Sequence, residues 1–376
     1  MRLFFLIFLL LFLGCTSKSS KIESENGNGS KYIGGFTTVN HALNDSTLFN
    51  ECHVVALETN DSSFIREISR IYKTKDYIFI LDKSLDKICI FDVQGKYRNK
   101  IENIGNGPHE YLSLMDFCLD TEKEEILLLC DKPYKIMRCN YNGQFVSETK
   151  YRDFFKGIAM DAGYIYCNRT ELNKTDLDKY EICCMNRDGD QVANLLETRD
   201  NIANTLFNPG NFLNRSRHIY YTRRFDNTVY QIIKDEFSEK YTLDFGKFNL
   251  PEYLLKERDI RRFHNECEEK KYIYSITEFI ENEKYIIFNT NQTICVYDKN
   301  KETFIGYPRI KNTQFNIETS SFYSNGYDEN SIVMKIEPGI LYMFKEHIKD
   351  NEDITTLLEK VQEDDNPILL FYQFKI

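Results

Sequence analysis

The sequence predicts an all-β chain folded as a six-bladed β-propeller with helical insertions on one rim. Three observations predict this fold: a hairpin that recurs at nearly constant spacing, two further apolar runs in each repeat, and an early β-like segment that can complete the last repeat. The 376 residues include 25 Tyr and 28 Phe, which favour half-buried pleated surfaces. Only 7 Pro and 17 Gly are present, which argues against a disordered or fibrous class.

A hydrophobic segment opens the chain. Met1 and Arg2 precede an entirely apolar run at residues 3–13, which ends in Gly14-Cys15. A basic start, a short apolar core and a small residue before the cut are typical of a secretory signal. Because the ending Leu13-Gly14-Cys15 is similar to a bacterial lipobox, we predict a lipoprotein signal peptide at residues 1–14 and lipidation of Cys15. The alternative is an ordinary signal with an incidental cysteine.

The segment after Cys15 is polar and predicts a tether. Residues 15–50 are expected to form the lipidated cysteine and a flexible linker, and residues 51–376 the propeller. We therefore expect a cell-envelope location, anchored by lipid to the outer membrane and facing either the periplasm or the surface. Membrane contact is predicted through the anchor only. The net charge of -10 argues against a nucleic-acid partner, because that needs a basic face.

The repeat is clearest at three glycines. Gly95, Gly143 and Gly189 each follow an apolar run and a polar turn, and they lie 48 and 46 residues apart. Glycine accepts the positive φ that a tight hairpin turn requires, so each glycine marks a turn between two strands. Two further apolar runs precede each hairpin. Four strands in roughly 45 residues is the spacing of a propeller blade.

Later copies of the repeat are weaker. Residues 217–245 predict a fourth blade and residues 272–307 a fifth, whereas residues 320–375 supply only three strands of a sixth. The segment 52–58 (CHVVALE) can supply the missing strand, so that the two ends of the chain close the ring without an exposed edge. Seven blades remain an alternative to six. A β-sandwich would not repeat this hairpin so evenly, and a solenoid has shorter repeats and needs caps.

The link after the first repeat carries a family resemblance. It reads Gly105-Asn-Gly-Pro-His-Glu-Tyr111 and resembles the G-x-G-P-x-E-[YF] connection of NHL-type propellers. With Leu57-Glu-Thr59, residues 225–230 (FDNTVY) and residues 366–375 (NPILLFYQFK), the chain resembles more closely the six-bladed β-propeller lipoproteins of Bacteroidetes. The resemblance covers about residues 52–376. It implies an extracytoplasmic lipoprotein without a settled biochemical role.

The long connections fall on one rim in this arrangement. Loops between the second and third strands of a blade share a rim with the links to the next blade, and four insertions lie there, at residues 169–179, 197–216, 246–270 and 338–366. Two stretches have helical spacing, Pro251–His264 with Pro251 in the first turn and Asp353–Val361 with Asp353 as the cap. Insertions on one face of a repeat fold often mark its binding face. The alternative is that the helices are lids packed on the rim.

Basic and aromatic side chains on this rim are the candidate binding residues. Such a mixture suits an anionic sugar or a glycan ring, through charge-assisted hydrogen bonds and stacking. The seven candidates are His109, Tyr111, Tyr134, Arg169, Arg223, Arg224 and Phe225. We therefore predict a binding or scaffold module for a glycan, peptide or protein partner. The alternative is a propeller enzyme, a lyase or a lactonase-like hydrolase, with its site at the channel mouth.

No catalytic motif is recognisable. The six His form neither an HExxH motif nor a paired spacing, no G-x-S-x-G elbow occurs, and Gly105-x-Gly107 leads into Pro108 rather than a helix. We therefore assign no catalytic residue, no metal and no cofactor, although a site built from one residue per blade would leave no motif. Ten cysteines remain besides Cys15, and the apolar runs around them predict buried free thiols.

Overall fold

The chain forms a ring of β-sheets in a computed structural model that describes residues 29–169, 179–198, 212–216, 218–326, 328–344 and 352–375. The described part begins with short elements: strands β1 (Lys31–Ile33), β2 (Thr37–Thr38) and β3 (Leu43–Asn44), then one helical turn, α1 (Asp45–Leu48). A long strand follows, β4 (Phe49–Ala56).

Five blades each have four antiparallel strands in chain order. Blade one contains β5 (Arg70–Lys73), β6 (Tyr77–Asp82), β7 (Lys87–Asp92) and β8 (Tyr97–Ile101). Blade two contains β9 (Ser113–Asp120), β10 (Glu125–Asp131), β11 (Lys135–Asn140) and β12 (Phe145–Lys150). Blade three contains β13 (Phe155–Asp161), β14 (Tyr164–Arg169), β15 (Tyr180–Asn186) and β16 (Gln191–Glu197). Blade four contains β17 (Phe212–Arg215), β18 (Ile219–Thr222), β19 (Thr228–Ile233) and β20 (Glu236–Leu243). Blade five contains β21 (Ile276–Glu281), β22 (Tyr285–Thr290), β23 (Ile294–Asp298) and β24 (Thr303–Tyr307).

Two further blades combine strands from both ends of the chain. Blade six is a small sheet of β25 (Ile310–Asn312), β26 (Ile317–Thr319) and β3. Blade seven contains β27 (Tyr323–Ser324), β28 (Ser331–Ile336), β29 (Ile368–Phe374) and β4. The prediction of a β-propeller is confirmed, but the count of six blades is wrong, because the structure has seven. Blade six could not be counted from the sequence because its strands have only two or three residues.

The hydrophobic core lies between neighbouring blades. The largest cluster joins blades one, two and three, and others join three to four, four to five, five to six and seven, and seven to one. The middle strands are packed on both faces, so they read as continuous apolar runs rather than alternating ones. In β6, for example, Ile78 to Leu81 are at most 1% exposed. Each such aliphatic side chain contributes roughly 1.5–3 kcal/mol by burial.

Polar side chains of the innermost strands join one blade to the next. A carboxylate of Asp116 accepts the Ile158 amide at 3.0 Å, and Asn214 accepts the Phe279 amide at 3.2 Å. Glu278 accepts the Ser324 amide at 2.6 Å, and Asn325 accepts the Lys73 amide at 2.8 Å. The Glu278 bond runs directly from blade five to blade seven. Blade six therefore lies outside this inner ring, wedged between its two neighbours.

The two ends of the chain close the ring, as the sequence predicted. β4 pairs antiparallel with β29, with Ala56 opposite Ile368 and Cys52 opposite Tyr372. Asn366 reinforces the closure from a site that is 1% exposed. Its side chain accepts the Ile65 amide at 2.7 Å and donates to the carbonyls of Glu58 and Ser63, each at 2.9 Å.

The predicted flexible tether is corrected over its second half. β1 pairs parallel with β20, β2 with β24 and β3 with β25. The segment from Lys31 onward therefore lies along the outer edges of blades four, five and six, held by backbone hydrogen bonds. We call residues 31–48 the strap. Residues 1–28, with the predicted signal peptide and Cys15, lie outside the described residues.

The predicted helices are partly confirmed. The stretch Pro251–His264 is not one helix: a 3-10 helix at Glu252–Lys256 gives way to helix α2 (Ile260–Lys270), and another 3-10 turn lies at Gly246–Phe248. Asp259 causes the second start, because its carboxylate accepts the amides of Arg261 and Arg262. α3 (Pro338–Phe344) was not predicted, whereas α4 (Glu352–Lys360) falls on the second predicted stretch.

Candidate functional site

The described ends of the four insertions fall on one rim, in agreement with the sequence analysis. They connect β14 to β15, β16 to β17, β20 to β21 and β28 to β29. We call this side the insertion rim; it comprises all connections between second and third strands and all links to a following blade. The opposite side, made of the remaining hairpin turns, is the turn rim. Residues 170–178 and 199–211, at the centre of two insertions, lie outside the described residues.

Tyr111 is structural. Its ring is 0% exposed, and its hydroxyl donates to the carbonyls of Asp86 at 2.9 Å and Ile101 at 3.3 Å. A ligand on the surface does not reach it. The neighbouring Glu110 accepts the Gly107 amide at 2.6 Å, which holds the turn as a structural residue would.

The candidate arginines are largely buried among their own partners. Arg169 forms an ion pair with Asp153 at 3.1 Å, and Arg223 one with Glu181 at 3.2 Å. The Arg223 guanidinium also donates to the Glu197 carbonyl at 2.6 Å and lies over the ring of Tyr230. The Arg223 contacts join blade four to Glu181 and Glu197 of blade three.

Arg224 and Phe225 anchor the insertion that contains α2. Phe225 has a φ of 59°, and its amide donates to the Tyr274 carbonyl at 2.8 Å. Its ring packs edge-on against Phe263 of α2, with 5.8 Å between ring centres. Arg224 lies over the Phe225 ring at 5.6 Å. Leu254, Phe263 and Cys267 form a small separate core under this insertion.

His109 and Tyr134 are the two exposed candidates. The His109 ring lies 3.7 Å from that of Phe145, between ring centres, and its Nδ1 is 3.8 Å from the Glu148 carboxylate. Tyr134 is 37% exposed and lies beside Phe154, with 5.6 Å between ring centres. The seven candidates therefore do not converge on one site. Whether any of them binds a ligand stays a prediction.

Sequence reasoning missed a polar cavity on the turn rim. It has a volume of about 320 Å³ and is shared by blades four, five and seven. Its lining residues are all polar or aromatic: His218, Tyr220, Lys240, Glu281, Asn282, Glu283, Lys299, Glu329 and Asn330. They come from turns and strand ends that are far apart in sequence, so no motif marks them.

Glu281 is the fixed centre of this cavity. One carboxylate oxygen accepts hydrogen bonds from the Lys299 ammonium at 2.6 Å and from the Tyr241 hydroxyl, and the other accepts the Tyr220 hydroxyl at 2.6 Å. Burial alone would raise the pKa of Glu281, but these hydrogen bonds outweigh it and hold that pKa below its ordinary value of 4.5. The carboxylate is therefore ionised at neutral pH.

The described cysteines form no disulfide. The ten described cysteines, from Cys52 to Cys295, are unpaired, and all but Cys52 are buried. Burial raises the pKa of the Cys89 thiol to about 11 and that of Cys139 to about 12, so these groups stay protonated. The prediction of buried free thiols is confirmed for this part of the chain.

Two features are absent from the described residues. They contain no group of three or more His, Cys, Asp or Glu side chains placed to hold a metal ion. None of their helices has the length and apolar character needed to cross a bilayer.

Comparison with known proteins supports the fold. A putative exported protein from Bacteroides fragilis is similar in structure, with a TM-score of 0.74 and 19% identity over 92% of this chain and 100% of that chain. A DUF4221 family member from Bacteroides vulgatus gives a TM-score of 0.49 at 10% identity and covers 87% of this chain and 97% of that chain. The similarity to the exported protein shows the fold alone.

Comparison by sequence points to a family. No curated protein is similar to the chain. A family model described as "Domain of unknown function (DUF4934)" matches residues 36–373. The likeness to NHL-type repeats stays a prediction.

Proposed function

The chain belongs to the DUF4934 family, whose description assigns no activity, and we propose that it is an exported binding module that holds a protein partner on its insertion rim. A propeller offers a rigid ring, and its connections carry the variable surface. The enzymatic alternative drawn from the sequence stays a prediction.

The distribution of exposed apolar side chains carries this proposal. Thirteen large apolar side chains of the described residues are exposed. Eight of them lie in connections of the insertion rim: Phe64, Ile104, Leu112, Tyr134, Tyr253, Ile260, Ile340 and Met343. The other five lie on β1, β12, β16, β19 and β20. Single exposed apolar residues are ordinary, but their concentration on one face is typical of a surface that a partner covers.

The insertion rim is also firmly supported, which favours binding without a large ordering cost. The small core of Leu254, Phe263 and Cys267 holds one insertion against Phe225. Tyr253, 55% exposed, and Ile260, 41% exposed, then project beyond that core. A protein partner fits better than a glycan because most of the eight side chains are aliphatic or thioether groups, which do not stack on sugar rings as aromatic groups do.

Site-specific photocrosslinking in the producing cell tests the proposal. A benzophenone amino acid replaces Tyr134, Tyr253 or Met343 on the insertion rim, and matched controls replace Ile233 or Phe237 on the outer strands of blade four. We expect discrete adducts from the three rim positions and none from the two controls, although all five side chains are exposed.

Each outcome is decisive. Protease-sensitive adducts confined to the rim support a protein partner. Adducts that resist protease and contain carbohydrate overturn the protein assignment in favour of a glycan. Equal adducts from rim and control positions, or none from the rim, overturn the proposal.

The lipid anchor belongs to the same proposal. The predicted lipobox at Leu13-Gly14-Cys15 supports export, and the structural likeness to an exported protein agrees with it. Metabolic labelling with a fatty acid should mark the wild-type chain and leave Cys15→Ala unlabelled. Equal labelling of both chains would show that Cys15 carries no lipid.

A further inference from the structure

We propose that the cavity on the turn rim binds a small zwitterion, a free amino acid or a short peptide, through Lys240 on one side and Glu283 and Glu329 on the other. This site lies on the rim opposite the proposed protein-binding surface. A test of this proposal is therefore independent of a test of the protein-binding surface.

The size of the cavity limits the ligand. A volume of about 320 Å³ lies at the lower end of the range for small-molecule sites, roughly 300–1,000 Å³. An amino acid or a dipeptide fills such a space, whereas an oligosaccharide or a folded partner does not enter it.

The polar groups on the floor of the cavity are already paired with one another. The Lys299 ammonium donates to Glu281 and to the Asn282 carbonyl, each at 2.6 Å. The Asn282 side chain is also committed, because its oxygen accepts the amides of Lys284 at 2.9 Å and Tyr285 at 2.7 Å. These groups fix the shape of the site. Because the Lys299 ammonium and the Glu281 carboxylate neutralise each other, neither is the main charge that a ligand would meet.

The remaining charged groups are divided by blade. Lys240 belongs to blade four, with His218 beside it in the lining, whereas Glu283 follows β21 in blade five and Glu329 precedes β28 in blade seven. Within the described part of the chain, Lys240, Glu283 and Glu329 enter no ion pair. The cavity therefore presents a cation from one blade and two anions from the other two.

This division selects a ligand with both charges. A simple anion would meet Glu283 and Glu329, and a simple cation would meet Lys240, so each would gain one favourable contact and lose by like-charge repulsion. A zwitterion places its carboxylate at Lys240 and its ammonium at Glu283 and Glu329. Charge-assisted hydrogen bonds then form at both ends, while the Asn330 amide provides a further polar contact in the lining.

A binding panel on the purified protein tests the proposal. The probes are the common amino acids and a set of dipeptides, each compared with its N-acetylated and its C-amidated derivative, together with neutral monosaccharides. Melting temperature and titration calorimetry report binding. We expect at least one zwitterion to bind and both blocked derivatives to bind at least about tenfold more weakly, since each has lost one charge. The amino-acid and dipeptide arms show which of the two the site accepts.

Variants locate the site. Lys240→Met and Glu329→Gln should each weaken binding by about tenfold or more without changing the melting temperature of the free protein. Lys256→Met and Glu252→Gln are the matched controls, because they make the same charge changes on the insertion rim, at side chains that are 74% and 83% exposed. The proposal is overturned if no zwitterion binds, if blocked derivatives or neutral sugars bind equally well, or if the control variants weaken binding as much as the cavity variants.

Discussion

Gly326 leaves space for the ring of Tyr72. Its φ is +71°, and a Cβ built there would lie 2.0 Å from Cε1 of Tyr72. Tyr72 is buried and packs edge-on against Phe117, with 4.9 Å between ring centres. The neighbouring Asn325 accepts the Lys73 amide across the junction of blades seven and one. A single absent side chain therefore permits the contact on which this junction depends.

Replacing Gly326 should destabilise the protein strongly. We expect Gly326→Ala to lower the free energy of unfolding by about 2–5 kcal/mol, because a left-handed backbone costs an L-residue roughly 1–2 kcal/mol and overpacking adds about 1–3. Urea unfolding measures the loss. Gly35→Ala is the control: its φ is +75°, but nothing lies within 4 Å of the added Cβ. Equal losses in the two variants would show that the Tyr72 contact is unimportant.

At the scale of elements, the strap is docked by one aromatic residue between β1 and β2. The Phe36 ring lies 4.8 Å from that of Phe304 and 5.2 Å from that of Phe245, between ring centres. Gly306 makes room for it, because a Cβ there would lie 2.7 Å from Cζ of Phe36. These contacts bridge blades four and five and add to the few backbone hydrogen bonds of the short strands.

Truncating this side chain should release the strap. Phe36→Ala is expected to lower the free energy of unfolding by about 2 kcal/mol, less than the roughly 3–5 kcal/mol for a fully buried Phe, because the ring is only half-buried. Phe64→Ala is the control; that ring is 42% exposed on the insertion rim and should change stability by less than about 0.5 kcal/mol. Indistinguishable unfolding curves for the two variants would contradict docking of the strap.

The sequence predicted what depends on long buried strands and missed what depends on short or distant contacts. The closing strand was found because residues 52–58 carry a clear apolar run, and the hairpin turns were found because Gly95, Gly143 and Gly189 do have positive φ. Blade six and the strap were missed because strands of two or three residues have no readable period. The burial of Tyr111 was not predicted because an aromatic residue in a polar link gives no sign of burial. The cavity was missed because its lining residues are dispersed along the chain.

For the whole molecule, stability depends on the closure of the ring between the two ends of the chain. β4 and β29 join the two ends of the described chain through a long antiparallel pairing within blade seven, and Glu51 lies opposite Gln373 in it. Between these two residues runs almost the entire propeller. Opening this pairing would free the edges of β29 and β4 and remove the support for blades seven and one.

A disulfide across the closure should stabilise the whole fold. In the double variant Glu51→Cys/Gln373→Cys, directly opposed residues should oxidise to a disulfide and raise the free energy of unfolding by a few kcal/mol, with an upper limit of roughly 6 from the lost entropy of so long a loop. Unfolding with and without reductant measures the gain. The single variants are the controls. Failure of the double variant to cross-link within one chain would contradict the pairing of the ends.

The parallel pairing of the strap determines the rim from which the chain enters the propeller. β20 runs from the turn rim to the insertion rim, and β1 runs the same way beside it, with Lys31 opposite Tyr241 and Ile33 opposite Leu243. The polypeptide therefore approaches β1 from the turn rim. An attachment upstream of Gly29 would therefore hold the ring by its turn rim. The insertion rim, with its eight exposed apolar side chains, would then face away from the attachment.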